Sequence, residues 1–133
     1  MLVDEALDIL KTRLETVDGL TVTTDPVVTV VVPMAVIEDG ELDYNHTFGR
    51  GAAMLTFTVT VYVSTSDSAE GLYEARRYLS GHGDLSVRAA LDTPGTDALL
   101  SKVVVDTGVR GESDNFITAE FTGRAHVPGA VAT

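Results

Sequence analysis

The three histidines, His46, His82 and His126, are the residues of this chain best suited to metal ligation or to proton transfer at neutral pH. No two of them stand at a ligand spacing such as i and i+4 on one helix. Cysteine is absent, which excludes disulfides, thiolate nucleophiles and cysteine-based zinc sites. Ser80-Gly81-His82-Gly83 sets a hydroxyl beside an imidazole, but triad partners usually come from separate elements, and this run reads as a helix end. There is no Gly-x-Ser-x-Gly nucleophile elbow. Glu38, Asp39, Glu41 and Asp43 crowd one polar stretch, as acid–base work or calcium binding would require. The Asp-x-Asp-x-Asp-Gly calcium pattern is not met, and a chain without Trp gives a carboxylate pair little sugar-stacking surface. Gly49-Arg50-Gly51 lacks the Gly-Lys-Ser/Thr ending of a phosphate loop. Arg76-Arg77 reads either as a solvated helix face or as a contact to an acidic neighbouring subunit. No catalytic, metal or cofactor residue is assigned, and the chain is expected not to be an enzyme.

Nine Lys and Arg face twenty Asp and Glu, a net charge of −11. That charge repels phosphate backbones and anionic lipid. The longest apolar run, Val30 to Ala35 with Pro33 counted, falls well short of the roughly 20 residues of a membrane helix. The opening Met1 to Glu5 lacks the basic start and apolar run of a signal peptide. A length of 133 residues, 44% of them hydrophobic, fits one domain with its own core.

The elements around these residues follow from periodicity. Leu7, Leu10, Leu14 and Val17 predict an opening amphipathic helix that stops at Gly19. Leu20–Thr24 predicts a short strand, and Val27–Val32 a strand buried on both faces, ended or kinked by Pro33 and continued by Met34–Ile37. Glu38–Gly51 has no period and reads as a long loop or arm. From Met54 to Val63 the alternation is strict, with Leu55, Phe57, Val59, Val61 and Val63 on one face and a row of threonines on the other. A second helix runs from Asp67 and Glu70 to Ser80, turning Leu72, Ala75, Tyr78 and Leu79 to the sheet. Asp84–Ser101 is ambiguous, with a short helix possible over Leu85–Leu91. Lys102–Val109, with Val103, Val105 and Val109 on one face, and Phe116–Val127 make a hairpin about Gly111–Asn115, before a loose tail from Pro128 to Thr133. The expectation is an α+β single domain: an antiparallel or mixed sheet, two helices on one face, and a long arm.

The order and spacing of these stretches resemble the tail terminator, or tail completion, proteins of long-tailed bacteriophages, especially the small acidic versions from phages of high-GC Gram-positive hosts. The likeness is carried by Leu14-Glu15-Thr16-Val17-Asp18-Gly19-Leu20 and by Asp25-Pro26 with the valine run to Pro33. It continues in Tyr44-Asn45-His46-Thr47-Phe48-Gly49-Arg50-Gly51, and in Leu55–Val63 running into Ser64–Glu70 and a helix with Tyr78-Leu79. It covers roughly residues 1–127 and rests on order and spacing, not on one diagnostic motif. The resemblance implies a structural virion protein, assembled in the host cytoplasm. It would form a hexameric ring at the head-proximal end of the tail, end tube polymerisation and join the head. It implies contacts with the tail tube protein and with head–tail connector or neck proteins, DNA passing through the lumen without specific binding, no membrane, no enzyme activity and no cofactor. Glu41, Asp43, Tyr44, Phe48, Arg50, Arg76 and Arg77 are the candidate subunit-interface residues. Another neck protein or a tail tube protein is the alternative, and a small-ligand binding domain or enzyme the third reading.

Overall fold

Strict alternation in one strand organises the molecule. In the computed structural model, which describes residues 3–17, 19–25, 30–43, 53–65, 69–81, 83, 85–92, 102–113 and 115–127, that strand is β3 (Ala53–Thr65). The elements run α1 (Val3–Leu14), β1 (Thr21–Thr23), β2 (Met34–Asp43), β3, α2 (Ala69–Leu79), α3 (Val87–Asp92), β4 (Lys102–Ser113) and β5 (Phe116–Val127). They form one five-stranded sheet in the order β1-β2-β3-β5-β4. Only β1–β2 is parallel; β2–β3, β3–β5 and β4–β5 are antiparallel, so the fold is α+β with a mixed sheet.

Burial follows the alternation. Leu55, Phe57, Val59, Val61 and Val63 are sealed on one face of β3, and Ile117, Ala119, Phe121, Ala125 and Val127 continue that face on β5. The helices cover it. α1 inserts Leu7, Leu10 and Leu14, with Val17 just beyond it; α2 inserts Ala75 and Tyr78; α3 inserts Val87 and Leu91, all in one core cluster. Gly19, at φ 74°, ends α1's extension in the left-handed conformation that favours glycine. Thr56, Thr58, Thr60 and Tyr62 stand on the other face, half-buried by their neighbours alone. Across that face Tyr62 meets Phe116 edge-on, with ring centroids 5.9 Å apart.

Four expectations change. Of the strand expected over Val27–Val32, residues 27–29 lie outside the described residues and Val30–Val32 is not strand: Val31 is 63% exposed, and β2 starts only at Met34. Pro33 has no N–H to give a ladder, though its carbonyl accepts from Thr21 N at 3.3 Å. Glu38–Asp43, expected in the arm, belongs to β2, because β3 offers Thr58, Phe57, Leu55 and Met54 as partners. The rest of the arm and the tail after Val127 lie outside the described residues. Strand β4 continues through Gly111 and Glu112, leaving a tighter turn at Asn115, which takes φ 68°. Finally, Val109 does not share a face with Val105. A register shift between Val105 and Thr107 adds one residue, which reverses the phase and leaves Val109 opposite Glu120 and 61% exposed. A third helix, α3, forms within the ambiguous connector, of which residues 84 and 93–101 lie outside the described residues.

The sheet is closely packed where β5 crosses under Phe57. A Cβ on Gly123 would stand 2.6 Å from Phe57 Cζ and 2.7 Å from the Val104 carbonyl oxygen. Gly123→Ala is therefore expected to lower stability by about 1–3 kcal/mol through overpacking. Phe57→Ala, which empties the same place, should cost about 3–5 kcal/mol. Urea unfolding of the two variants beside the parent measures both.

Candidate subunit interface

Among the described residues the sheet has two incompletely paired edges. Strand β1 covers β2 only at Met34, Ala35 and Val36. Beyond it, Ile37 to Asp43 forms an overhang whose strand partner among the described residues is β3. Glu38, Asp39 and Glu41 are exposed there. The register shifts between Asp39 and Leu42, and a Cβ on Gly40 would lie 2.9 Å from the Thr56 carbonyl oxygen, so this bulge brings backbone close to backbone. Charge and bulge are both devices that keep an edge from pairing indiscriminately.

The opposite edge is β4, whose strand partner among the described residues is β5. Residues Asp106 to Arg110 are exposed along it. The guanidinium of Arg124 forks onto Asp106, Nε to Oδ2 at 2.9 Å and Nη2 to Oδ1 at 3.0 Å. Those hydrogen bonds, then the Asp106 charge, hold Arg124 above the ordinary arginine value. Beside this edge lies a cleft of about 260 Å³ lined by Leu79, Arg88, Val105, Asp106 and Gly108.

Sequence reasoning placed the interface on the arm, with Glu41, Asp43, Tyr44, Phe48 and Arg50, and on Arg76 and Arg77 of the second helix, and the structure separates the described members of the two sets. Glu41 and Asp43 sit on the overhang of β2, Asp43 opposite Met54. Arg76 and Arg77 are exposed on α2, which packs over β3, β5 and β4 at the other side of the sheet. Arg76 lies 5.7 Å from the centroid of the Tyr73 ring, itself 63% exposed, and Arg77 borders a cleft of about 370 Å³ with Glu70 and Glu74. Tyr44, Phe48 and Arg50 lie outside the described residues, as do His46 and His82. His126 is half-buried on β5, opposite Met54 and Lys102. Among the described residues no three or more His, Asp or Glu gather as a metal site.

The exposed edge of β4 was missed, because edge position is a property of sheet order that local pattern does not encode. Arg13 was missed as well. Although charged and in the last turn of α1, it is buried and donates from Nη1 to the Leu91 carbonyl oxygen at 3.1 Å, tying α1 to α3. Its place beside Leu14 and three residues after Leu10 was the available signal.

Tyr78 anchors α2, and thus Arg76 and Arg77, to the sheet. Burial, with a smaller contribution from the Glu74 charge, pushes its hydroxyl up to about 12. The folded state therefore holds this proton more tightly than the unfolded chain. The resulting stability is complete below about pH 10 and is lost as pH rises toward 12, about 2–3 kcal/mol in all. Tyr78→Phe should flatten that alkaline loss in chemical unfolding measured from pH 9 upward, whereas Arg13→Ala should cost about 2 kcal/mol and keep it.

Comparison with models of known protein families finds no match, and comparison with curated proteins finds none either.

Proposed function

We propose that this chain is a structural subunit of a long-tailed bacteriophage virion, a tail terminator. On this reading six copies close into a ring on the head-proximal end of the tail tube, stop its growth and present a surface to the neck. The observation that best supports it is the pairing of unlike edges in one sheet: an acidic overhang on β2 at one side and a long, exposed β4 at the other. Unlike edges favour head-to-tail contacts, which close into rings or run on as filaments. The sequence resemblance supplies the choice of ring over filament, and the number six.

Electrostatics suits the role. Six subunits at −11 sum to about −66, a field that discourages sticking to the DNA passing through the lumen. The same field opposes closure, and exposed ion pairs return only about 0–1 kcal/mol each. The ring is thus expected to be weak alone, to strengthen with salt as repulsion is screened, and to be completed on a tube end.

Two measurements check this. Sedimentation of the purified chain should show a rising share of ring with concentration and with salt. Negative-stain microscopy of particles made without this gene should show tubes of uncontrolled length that lack heads. Tubes of normal length joined to heads in its absence would overturn the reading, and a chain that polymerises into tubes itself would make it a tube protein.

A further inference from the structure

We infer that two copies of this chain join by strand addition, the exposed edge of β4 in one copy, Gly108 to Glu112, pairing antiparallel with Ile37 to Glu41 of the β2 overhang of the next. The inference rests on the ring reading for its closed form, but its geometry comes from the sheet.

Direction follows from topology. Successive antiparallel pairings make β4 antiparallel to β5, β5 to β3 and β3 to β2, so β4 and β2 run in opposite directions within one subunit. Rotation about an axis along the strands preserves those directions. The β4 of one copy therefore meets the β2 of the next as an antiparallel pair, with the helix-covered faces on the same side.

Register follows from β1. Within one subunit Arg110 stands level, through Ala119 and Val61, with Ala35, and Val105 stands level, through Gly123 and Phe57, with Asp39. A neighbour docked at that level would run the Val109–Ser113 half of β4 into β1, which occupies the edge at Met34 to Val36. A stagger of about four residues carries all of that half but the terminal Ser113 past β1, and a tilted, closed sheet requires a stagger of this kind. An even stagger also keeps each side chain on its own face. The last part of β4, from Gly108, then lies along the overhang.

Charge selects the pair. In this register Arg110 falls opposite Asp39. Arg110 shares its face with Ala119, and Asp39 with Phe57, both buried under the helices, so the two charges meet on one side of the joined sheet. Both are exposed, and neither has an ion-pair partner among the described residues. Glu38, Asp39 and Glu41 would repel a second β2 overhang, which disfavours pairing of like edges there. Exposed Val109 would be covered by the incoming strand.

The chain has no cysteine, so introduced thiols report cleanly. One population carries Arg110→Cys and a second carries Asp39→Cys. They are mixed, allowed to assemble at high concentration and on tube ends, and oxidised. Heterotypic dimers linking Arg110→Cys to Asp39→Cys are expected, with little product from either population alone. A charge swap provides the second arm: Asp39→Arg and Arg110→Asp should each weaken association at least about fivefold, and the double variant should recover most of it. Rings that form without the heterotypic link would overturn this pairing and leave the ring reading standing. Heterotypic links in open fibres that never cap a tube would support the pairing and overturn the terminator reading. Homotypic Arg110→Cys dimers would show a twofold β4–β4 contact and overturn it. A chain that stays monomeric in both settings would overturn it too.

Discussion

Everything in this molecule depends on the burial of one face of β3. Its five inward apolar residues from Leu55 to Val63 are fully or almost fully removed from water, and all three helices contribute to the core that seals them, α2 packing on β3, β5 and β4, α1 on β1 and β2, and α3 on β4. Each such side chain contributes roughly 1.5–3 kcal/mol when buried. Among the described residues the reverse face carries no helix. There threonines, Tyr62 and Phe116 shield one another across the strands, which suffices for side chains that tolerate partial contact with water. One covered face and one bare face make the sheet a wall, and a wall of this kind has edges.

Those edges are unlike because the connections are unlike. Strand β1 is three residues long and pairs with β2 at its start only, so much of β2 projects beyond it. Strand β4 follows the short helix α3, and no other described strand lies outside it. The overhang carries acidic side chains and a bulge, whereas β4 carries charge of both signs, with Asp106 neutralised by Arg124. A self-complementary twofold contact is less suited to this asymmetry than a repeated head-to-tail one.

Net charge and local charge work against each other. Repulsion between subunits at −11 acts over the whole surface and falls within about 8 Å at physiological salt. A pair such as Arg110 and Asp39 acts only at contact and sets orientation and register more than affinity. Backbone hydrogen bonding along joined edges carries no charge, so salt that relieves the repulsion leaves it intact. On the proposed terminator reading, assembly with these terms would be conditional, as a cap that must form at one place requires.

The sequence by itself determined every element whose burial is periodic. The stripe of α1, the alternation of β3 and β5 and the sheet-facing side of α2 are each legible because one face meets water and the other meets the core. It also determined the charge balance and the lack of cysteine chemistry. Tertiary structure alone decided where β2 begins and ends, since Val30–Pro33 has the composition of a core strand yet lacks a ladder partner, and Glu38–Asp43 has the composition of a loop yet finds one in β3. It alone decided that Val109 faces outward, because one inserted residue at Asp106 reverses the phase without any local mark in the pattern. It alone buried Arg13 and left the edge of β4 exposed. Pairing, register and edge position are relations between segments distant in the chain, and periodicity within one segment carries no information about them.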